Sequence, residues 1–480
     1  LNSLSSIQRN LIYLGVGLFA LLNALFIYFD IWWISALPVA LLIVGVALFR
    51  TDLLLFLIVF ATPLSVNLER LEFGLGVHLP TEPLMFGAML VFLVKVFYDW
   101  NYDKRILLHP VSIGIALNLI WIFIAIFPSE LPLVSLKFLV SRMWFVITFY
   151  FLAVLLFRNI NNMERFLWLY IIPLSGVILY TIFNHAIRGF AEKPAHWVMQ
   201  PFFKDHTSYG AIIAMFIPVS WSFAFNPKFS LNTKILNGFF FTILLAGVIF
   251  SYTRAAWVSL VGGIVIYFLI YFKVKMKVLI TTLAFAIFIL FNFQNEILMA
   301  LEKNKQDSSN NLAEHVESIS NIASDASNLE RINRWSCALR MFAEKPVFGH
   351  GPGTYAFLYA PYQHSSQLTI ISTNFGDGGN AHSEYFGPLA ETGALGLITF
   401  VIIGVFVFIR GIRLYQRLTD PRLKSLSMGV IIGLATYFIH GFLNNFLDTD
   451  KASVPFWGFI AILVAIEVFH EKESQKSDSK

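Results

Sequence analysis

The chain is a succession of apolar stretches, each about as long as a bilayer is thick, with short breaks that hold most of its few charges. A hydrocarbon core about 30 Å deep takes roughly 20 mostly apolar residues per helix, with a workable range of about 17–25. Fourteen segments meet or approach that requirement: 11–29, 31–49, 51–68, 83–98, 110–127, 139–157, 164–183, 208–224, 234–250, 255–272, 277–293, 388–409, 425–443 and 454–469. The breaks at Asp30 and at Arg50 to Asp52 are narrow, so a count of 12 follows if two segments merge or re-enter. Only 13% of the 480 residues are charged, against about 25% in an ordinary soluble domain. So few charges could not cover a soluble surface. The hydrophobic share of 57% excludes a disordered chain, and a single cysteine, Cys337, excludes a disulfide-stapled one. The sequence predicts an all-α polytopic membrane protein with about 12–14 transmembrane helices.

The basic residues set an orientation. With the N-terminus inside, the inner connections hold Arg50, Lys104, Arg105, Arg158, Arg165, Lys228, Lys234, Lys273, Lys275 and Lys277. The connection after 388–409 adds Arg410, Arg413, Arg417, Arg422 and Lys424, and a tail from 471 to 480 adds three lysines. With Arg9, nineteen of the 34 Lys and Arg fall on that face. This is the positive-inside bias of an inner-membrane protein, with both termini cytoplasmic. It accounts for the net charge of +5 without a nucleic-acid partner. No small-residue cleavage site follows the first span, so no cleavable signal segment is expected.

Residues 1–293 then form an N-terminal bundle of about 11 spans, and 388–470 a C-terminal set of helices. Between them, residues 294–387 form one long outer loop, and loops of that length are usually functional. Residues 304–311 are polar, and Leu312, Val316, Ile319 and Ala323 recur at helical spacing. Ser327 with Glu330 three residues on is a capping-box pattern. The helix it opens has an apolar stripe at Leu329, Ile332, Trp335, Leu339 and Phe342 and stops before Pro346. Arg331 and Arg334, one turn apart, are expected on its polar face. They form either a solvated surface or a fork for phosphate oxygens. The turn Gly349-His350-Gly351-Pro352-Gly353 follows.

A few polar residues sit where topology gives no reason for them. Arg254 lies in a tight outer turn, Ser251 to Trp257, between two apolar spans. It is either an interfacial anchor beside Trp257 or a functional cation. His382, in Asn380-Ala381-His382-Ser383-Glu384-Tyr385, stands just before a helix. Amide donors there favour an anion, and imidazole titrates near neutrality. A structural histidine is the plainer reading. Glu384, two residues away, is a poor partner for it. Asp205 and His206 precede another span, where helix capping suffices to explain them. Glu391, beyond Gly387-Pro388, completes the set. Nothing has zinc-ligand, P-loop, dinucleotide or nucleophile-elbow spacing, so neither metal nor cofactor is expected. Cys337 reads as a buried helix residue.

Together these residues resemble the O-antigen ligase family of bacterial envelope glycosyltransferases, which also contains polysaccharide polymerases and protein O-oligosaccharyltransferases. Three stretches carry the likeness: SYTRAAW at 251–257, the run from Glu330-Arg331 through Trp335 and Pro346 to GHGPGTY at 349–355, and NAHSEYFGPLAETGALG at 380–396. They cover roughly 205–400, and the N-terminal half matches only as a hydrophobic scaffold. The resemblance implies a GT-C-like membrane fold and an undecaprenyl-diphosphate-linked glycan donor. The acceptor would be a glycan, lipid A core or protein, and the site would face the periplasm.

By matching position, Arg254 and Arg331 look like the family's diphosphate-binding arginines and His382 like its essential loop histidine. Arg331 is preferred to Arg334 because the family arginine stands four residues before the tryptophan. The implied reaction is inverting and metal-independent, with His382 as either proton acceptor or phosphate ligand. Two departures stand out. Ser383 replaces the usual Asn, which bears on acceptor contacts, and the segment before Ser327 resembles an insertion. A polymerase joining lipid-linked repeat units is the alternative within the family. A polysaccharide transporter or flippase is the alternative outside it, and would place charges near mid-membrane. A non-catalytic envelope scaffold explains the loop but not the arginines and histidine.

Overall fold

The computed structural model describes residues 5–31, 34–35, 37–67, 78–99, 102–226, 229–274, 281, 326–365, 368, 372 and 379–471. Two compact units, Leu1–Leu54 and Leu55–Lys480, divide the chain. The first holds α1 (Ser6–Tyr28) and α2 (Leu37–Phe49), and α3 (Thr51–Ala61) begins at its edge. The second holds a two-residue antiparallel ribbon, β1 (Val66–Asn67) with β2 (His78–Leu79), pairing Val66 with Leu79 and Asn67 with His78. Its helices are α4 (Thr81–Asp99), α5 (Pro110–Ile126), α6 (Pro132–Val146, prolonged to Leu156), α7 (Ile160–Ala186), α8 (His206–Ala224), α9 (Leu231–Phe250) and α10 (Arg254–Tyr271). Within the long 294–387 connection lies α11 (Ala326–Glu344), and after it come α12 (Phe386–Arg417), α13 (Pro421–His440) and α14 (Asp450–Ala465, prolonged to His470).

Among the described residues nine helices are long and apolar enough to cross a membrane: α4, α6 to α10 and α12 to α14. Three shorter apolar helices accompany them, Tyr13–Tyr28, Thr51–Leu64 and Pro110–Ile126. The protein is therefore an all-α, multi-pass membrane protein. The expected segments 31–49 and 51–68 are each cut short. A bidentate Arg50–Asp52 pair breaks the chain between them, and Pro63 turns the second into a 3-10 turn. The expected span 277–293 and the stretches 304–311 and 312–323 lie outside the described residues. Arg410, Arg413 and Arg417 stand on the last turns of α12 rather than in a connection, because that helix runs on to Arg417.

Polar caps define where the spans begin. Asp205, Ser230 and Asp420 accept from the amides of Ser208, Thr233 and Arg422 at the starts of α8, α9 and α13. α8, α13 and α14 are the most deeply buried helices. Gly429 and Gly433 on α13 let α8 approach closely, since a methyl group on them would lie 2.6 Å from Ser222 Oγ and 2.5 Å from the Met215 carbonyl. Many apolar side chains of α9 and α10 instead point outward, as lipid-facing side chains do.

Candidate functional site

Six chain segments meet at one end of the helical bundle of the second unit. They are the starts of α8, α10 and α12, the end of α13, the start of α14 and the loop helix α11. The turn between α9 and α10 is shaped by Tyr252, whose φ of +50° is unusual for a non-glycine residue. Thr253 Oγ1 donates to the His206 carbonyl at 2.7 Å, so the first residue of α10, Arg254, is tied to the first residue of α8. Trp257 donates from Nε1 to the Val248 carbonyl at 3.0 Å and braces the same turn.

α11 docks by two side chains on one face. Arg331 Nε donates to the Leu443 carbonyl at 3.3 Å, and Trp335, four residues on, donates from Nε1 to the His382 carbonyl at 3.3 Å. The Trp335 ring also packs on Phe386 and Phe442, each with centroids 5.3 Å away. His382 has a φ of +49°, and its N–H donates to Asn380 Oδ1 at 3.1 Å. Left-handed backbone at a histidine is sparsely populated and persists only where its surroundings hold it.

Electrostatics joins these residues. The half-buried His382 imidazole is pushed down to about 4 by burial first, then by the positive charges of Arg331 and Arg334, with Glu330 and Asp205 opposing. It is neutral at physiological pH and can accept a proton. His206 lies within electrostatic reach of His196, Asp205, Arg331 and Arg254, with its ring centroid 4.2 Å from that of His196. Its Nδ1 is buried with no hydrogen-bond partner among the described residues, which leaves a donor or acceptor for a ligand or water. Burial works against ionisation of Asp205, but bonds from the Ser208 N–H and the Thr207 hydroxyl, with His206 nearby, hold its carboxyl below the usual range. Asp205 is thus a helix cap lying beside the cluster.

Arg254, Arg331, His382, Asp205 and His206 therefore come together from four separate parts of the sequence. Two other candidates do not join them. Arg334 was expected on a polar face of α11 beside Arg331. It is buried instead, with Nε on Glu330 Oε1 at 2.6 Å and its guanidinium 3.9 Å from the Tyr359 ring centroid. The buried face of α11 is Glu330, Asn333, Arg334, Cys337, Ala338 and Met341, and Leu339 of the expected stripe is exposed. Burial of this charge is tolerated because the carboxylate four residues back neutralises it. The expected cap at Ser327 does not open the helix. α11 already starts at Ala326, and Glu330 serves Arg334 and Ser372.

Glu391 stands elsewhere, its carboxylate accepting from the Tyr355 N–H at 3.0 Å. It belongs to the seat of the 349–355 turn, where the amides of His350 and Gly351 donate to the carbonyls of Ala390 and Glu391. Cys337 is buried among Ala338, Met341, Tyr355 and Tyr359, as expected.

Sequence reasoning missed His440 and His196. His440 ends α13, is buried, lies 3.1 Å by Nε2 from Asn444 Nδ2, and is within electrostatic reach of Arg331 and Asp205. Its position in the apolar run 425–443 gave no signal, since only the fold brings the end of α13 under Arg331.

Residues 238–401 match the family model described as O-Antigen ligase. The matched stretch includes Arg254, Arg331 and His382, whereas Asp205, His206 and His440 lie outside it. The matched stretch also contains the three segments 251–257, 349–355 and 380–396. Among curated proteins none matches the chain.

Proposed function

We propose that this chain, with an O-antigen ligase domain at 238–401, is a membrane glycosyltransferase. It takes a glycan from an undecaprenyl-diphosphate-linked donor and passes it to an acceptor hydroxyl at the periplasmic face of a bacterial inner membrane. The observation that carries the reading is that Arg254, before the long loop, and Arg331, within it, both lie within electrostatic reach of His206, with Arg331 also near a neutral His382. Two cations at a partly dehydrated helix-end site stabilise charge as it grows on a diphosphate leaving group. The acceptor oxygen would bond to the anomeric carbon as the bond from that carbon to the diphosphate oxygen breaks. The electron pair leaves with the lipid diphosphate, and the acceptor proton passes to His382.

The depressed pKa of His382 favours the proton-accepting role over that of a protonated phosphate ligand. On this reading the site lies at the outer interface, with the lipid chain in the bilayer and both termini cytoplasmic. Purified protein supplied with lipid-linked oligosaccharide tests this. Arg254→Ala, Arg331→Ala and His382→Ala should each lower transfer by about 10²-fold or more while the protein still inserts. Normal transfer by the Arg254→Ala, Arg331→Ala double variant refutes the reading. A ladder of longer lipid-linked chains identifies a polymerase, and product only with lipid A core or a protein acceptor identifies a ligase.

A further inference from the structure

His382 and Arg331 are held apart by a distance that neither sets alone, because each hangs on a different segment. The 382–385 segment is stitched to the turn that ends α13. The Glu384 N–H donates to the Gly441 carbonyl at 2.7 Å, and the Tyr385 hydroxyl donates to the Phe438 carbonyl at 2.9 Å. The Glu384 carboxylate is buried, and its Oε1 accepts three bonds, from the Tyr437 hydroxyl at 2.7 Å and the amides of Phe446 and Leu447 at 2.7 and 2.9 Å. That same turn presents the Leu443 carbonyl to Arg331. Trp335 closes the circuit from α11 back to the His382 carbonyl.

We propose that Glu384 is a positioning residue that fixes His382 against Arg331 by clamping the 437–447 turn. The proposal rests on the glycosyl-transfer reading above. Glu384 points away from the reacting groups into the turn, so it acts through geometry alone. Of its links to the turn, the one that spans both sides of Leu443 is the carboxylate, which bonds Tyr437 before it and Phe446 and Leu447 after it. Removing that oxygen frees the Leu443 carbonyl to shift relative to His382, and a displacement of about 1 Å between reacting groups can cost on the order of 10²-fold in rate. A side-chain amide presents the same single oxygen to the same three donors, so the clamp needs the acceptor and not the charge.

The test uses the full-length protein in nanodiscs with an undecaprenyl-diphosphate-linked oligosaccharide, measuring kcat and KM for the donor. Glu384→Ala should lower kcat by about 10²-fold with KM within about threefold, and Glu384→Gln should restore kcat to within about threefold of wild type. Tyr437→Phe, which removes one of the three donors, should fall between them. The proposal is overturned if Glu384→Ala keeps its kcat, if it raises KM alone, or if Glu384→Gln is as impaired as Glu384→Ala. Should Glu384→Ala fail to reach the membrane, an unchanged kcat in Tyr437→Phe overturns it equally. Loss of activity in His382→Ala beside a normal Glu384→Ala sinks the clamp and leaves the glycosyl-transfer reading standing. Full activity in His382→Ala and in the double arginine variant sinks that reading itself.

Discussion

The ionisation of His382 gives the sharpest check on the chemistry. An ordinary histidine, with a pKa of about 6.5, is only about 9% neutral at pH 5.5. Burial and the nearby Arg331 and Arg334 bring His382 to about 4, which leaves it about 97% neutral at the same pH. A group with a depressed pKa stays deprotonated until the pH falls through the lowered value. If His382 accepts the acceptor proton, kcat/KM should hold level from pH 7 through 5.5 and be lost only as the pH approaches about 4. The profile of kcat/KM reports the free enzyme, whereas kcat reports the loaded one. A bound diphosphate brings negative charge that stabilises the imidazolium, so the acid limb of kcat should lie at higher pH than that of kcat/KM.

Arg331→Gln removes one of the depressing charges and should move the kcat/KM limb upward, toward 6.5, on top of its lower overall rate. The assay is initial-rate transfer from a lipid-linked oligosaccharide in mixed buffers from pH 4 to 8, each variant normalised to its own maximum. A wild-type limb at 6.5, or an Arg331→Gln limb that stays put, would refute the electrostatic account. Activity that vanishes as the pH rises above 4 would instead make His382 a protonated phosphate ligand.

Two further expectations concern the scaffold. Lys451 Nζ donates to the carbonyls of Thr62 and Ser65 and to Ser65 Oγ, which in turn donates to the fully buried Asp450. Lys451→Met should cost about 3–5 kcal/mol by removing the cation beside that carboxylate, which still accepts from Ser65 and Thr81, and adding Asp450→Asn should recover much of it. Unfolding in mixed micelles measures both, and additive losses in the double variant would contradict the coupling. Gly393 has a φ of +69°, and a methyl group there would lie 2.1 Å from the Val347 carbonyl oxygen. Gly393→Ala should cost about 1–3 kcal/mol or more in the same assay, whereas Gly176→Ala, with open space around it, should be neutral or stabilising.

What could be read along the chain was whatever depends on local pattern. A helix in a bilayer satisfies its own backbone and advertises itself by a run of apolar residues. Fold class and most spans therefore followed from the sequence, as did Asp205 as a cap and Cys337 as core. The short motifs around Arg254, Arg331 and His382 likewise marked candidates, because the charge pattern of the connections gave no reason for a cation or histidine there. Local pattern failed where partners are distant in sequence. Periodicity alone placed Arg334 outward, since it cannot register that Glu330 neutralises it and that Tyr359, from beyond the 349–355 turn, covers it. Nor could local pattern show that Glu391 bonds the Tyr355 amide rather than joining the Arg331 cluster.

Glu384 was set aside as a poor partner for His382, and His440 gave no signal. One needed the turn after α13 brought to it, and the other needed Arg331 placed above the end of an apolar helix. The sequence by itself determined that this chain crosses a membrane repeatedly and keeps a few unexplained charges at one face. Only the tertiary structure decided which of those charges share a site, because Coulomb and hydrogen-bond energies fall off over a few ångströms that sequence spacing does not encode.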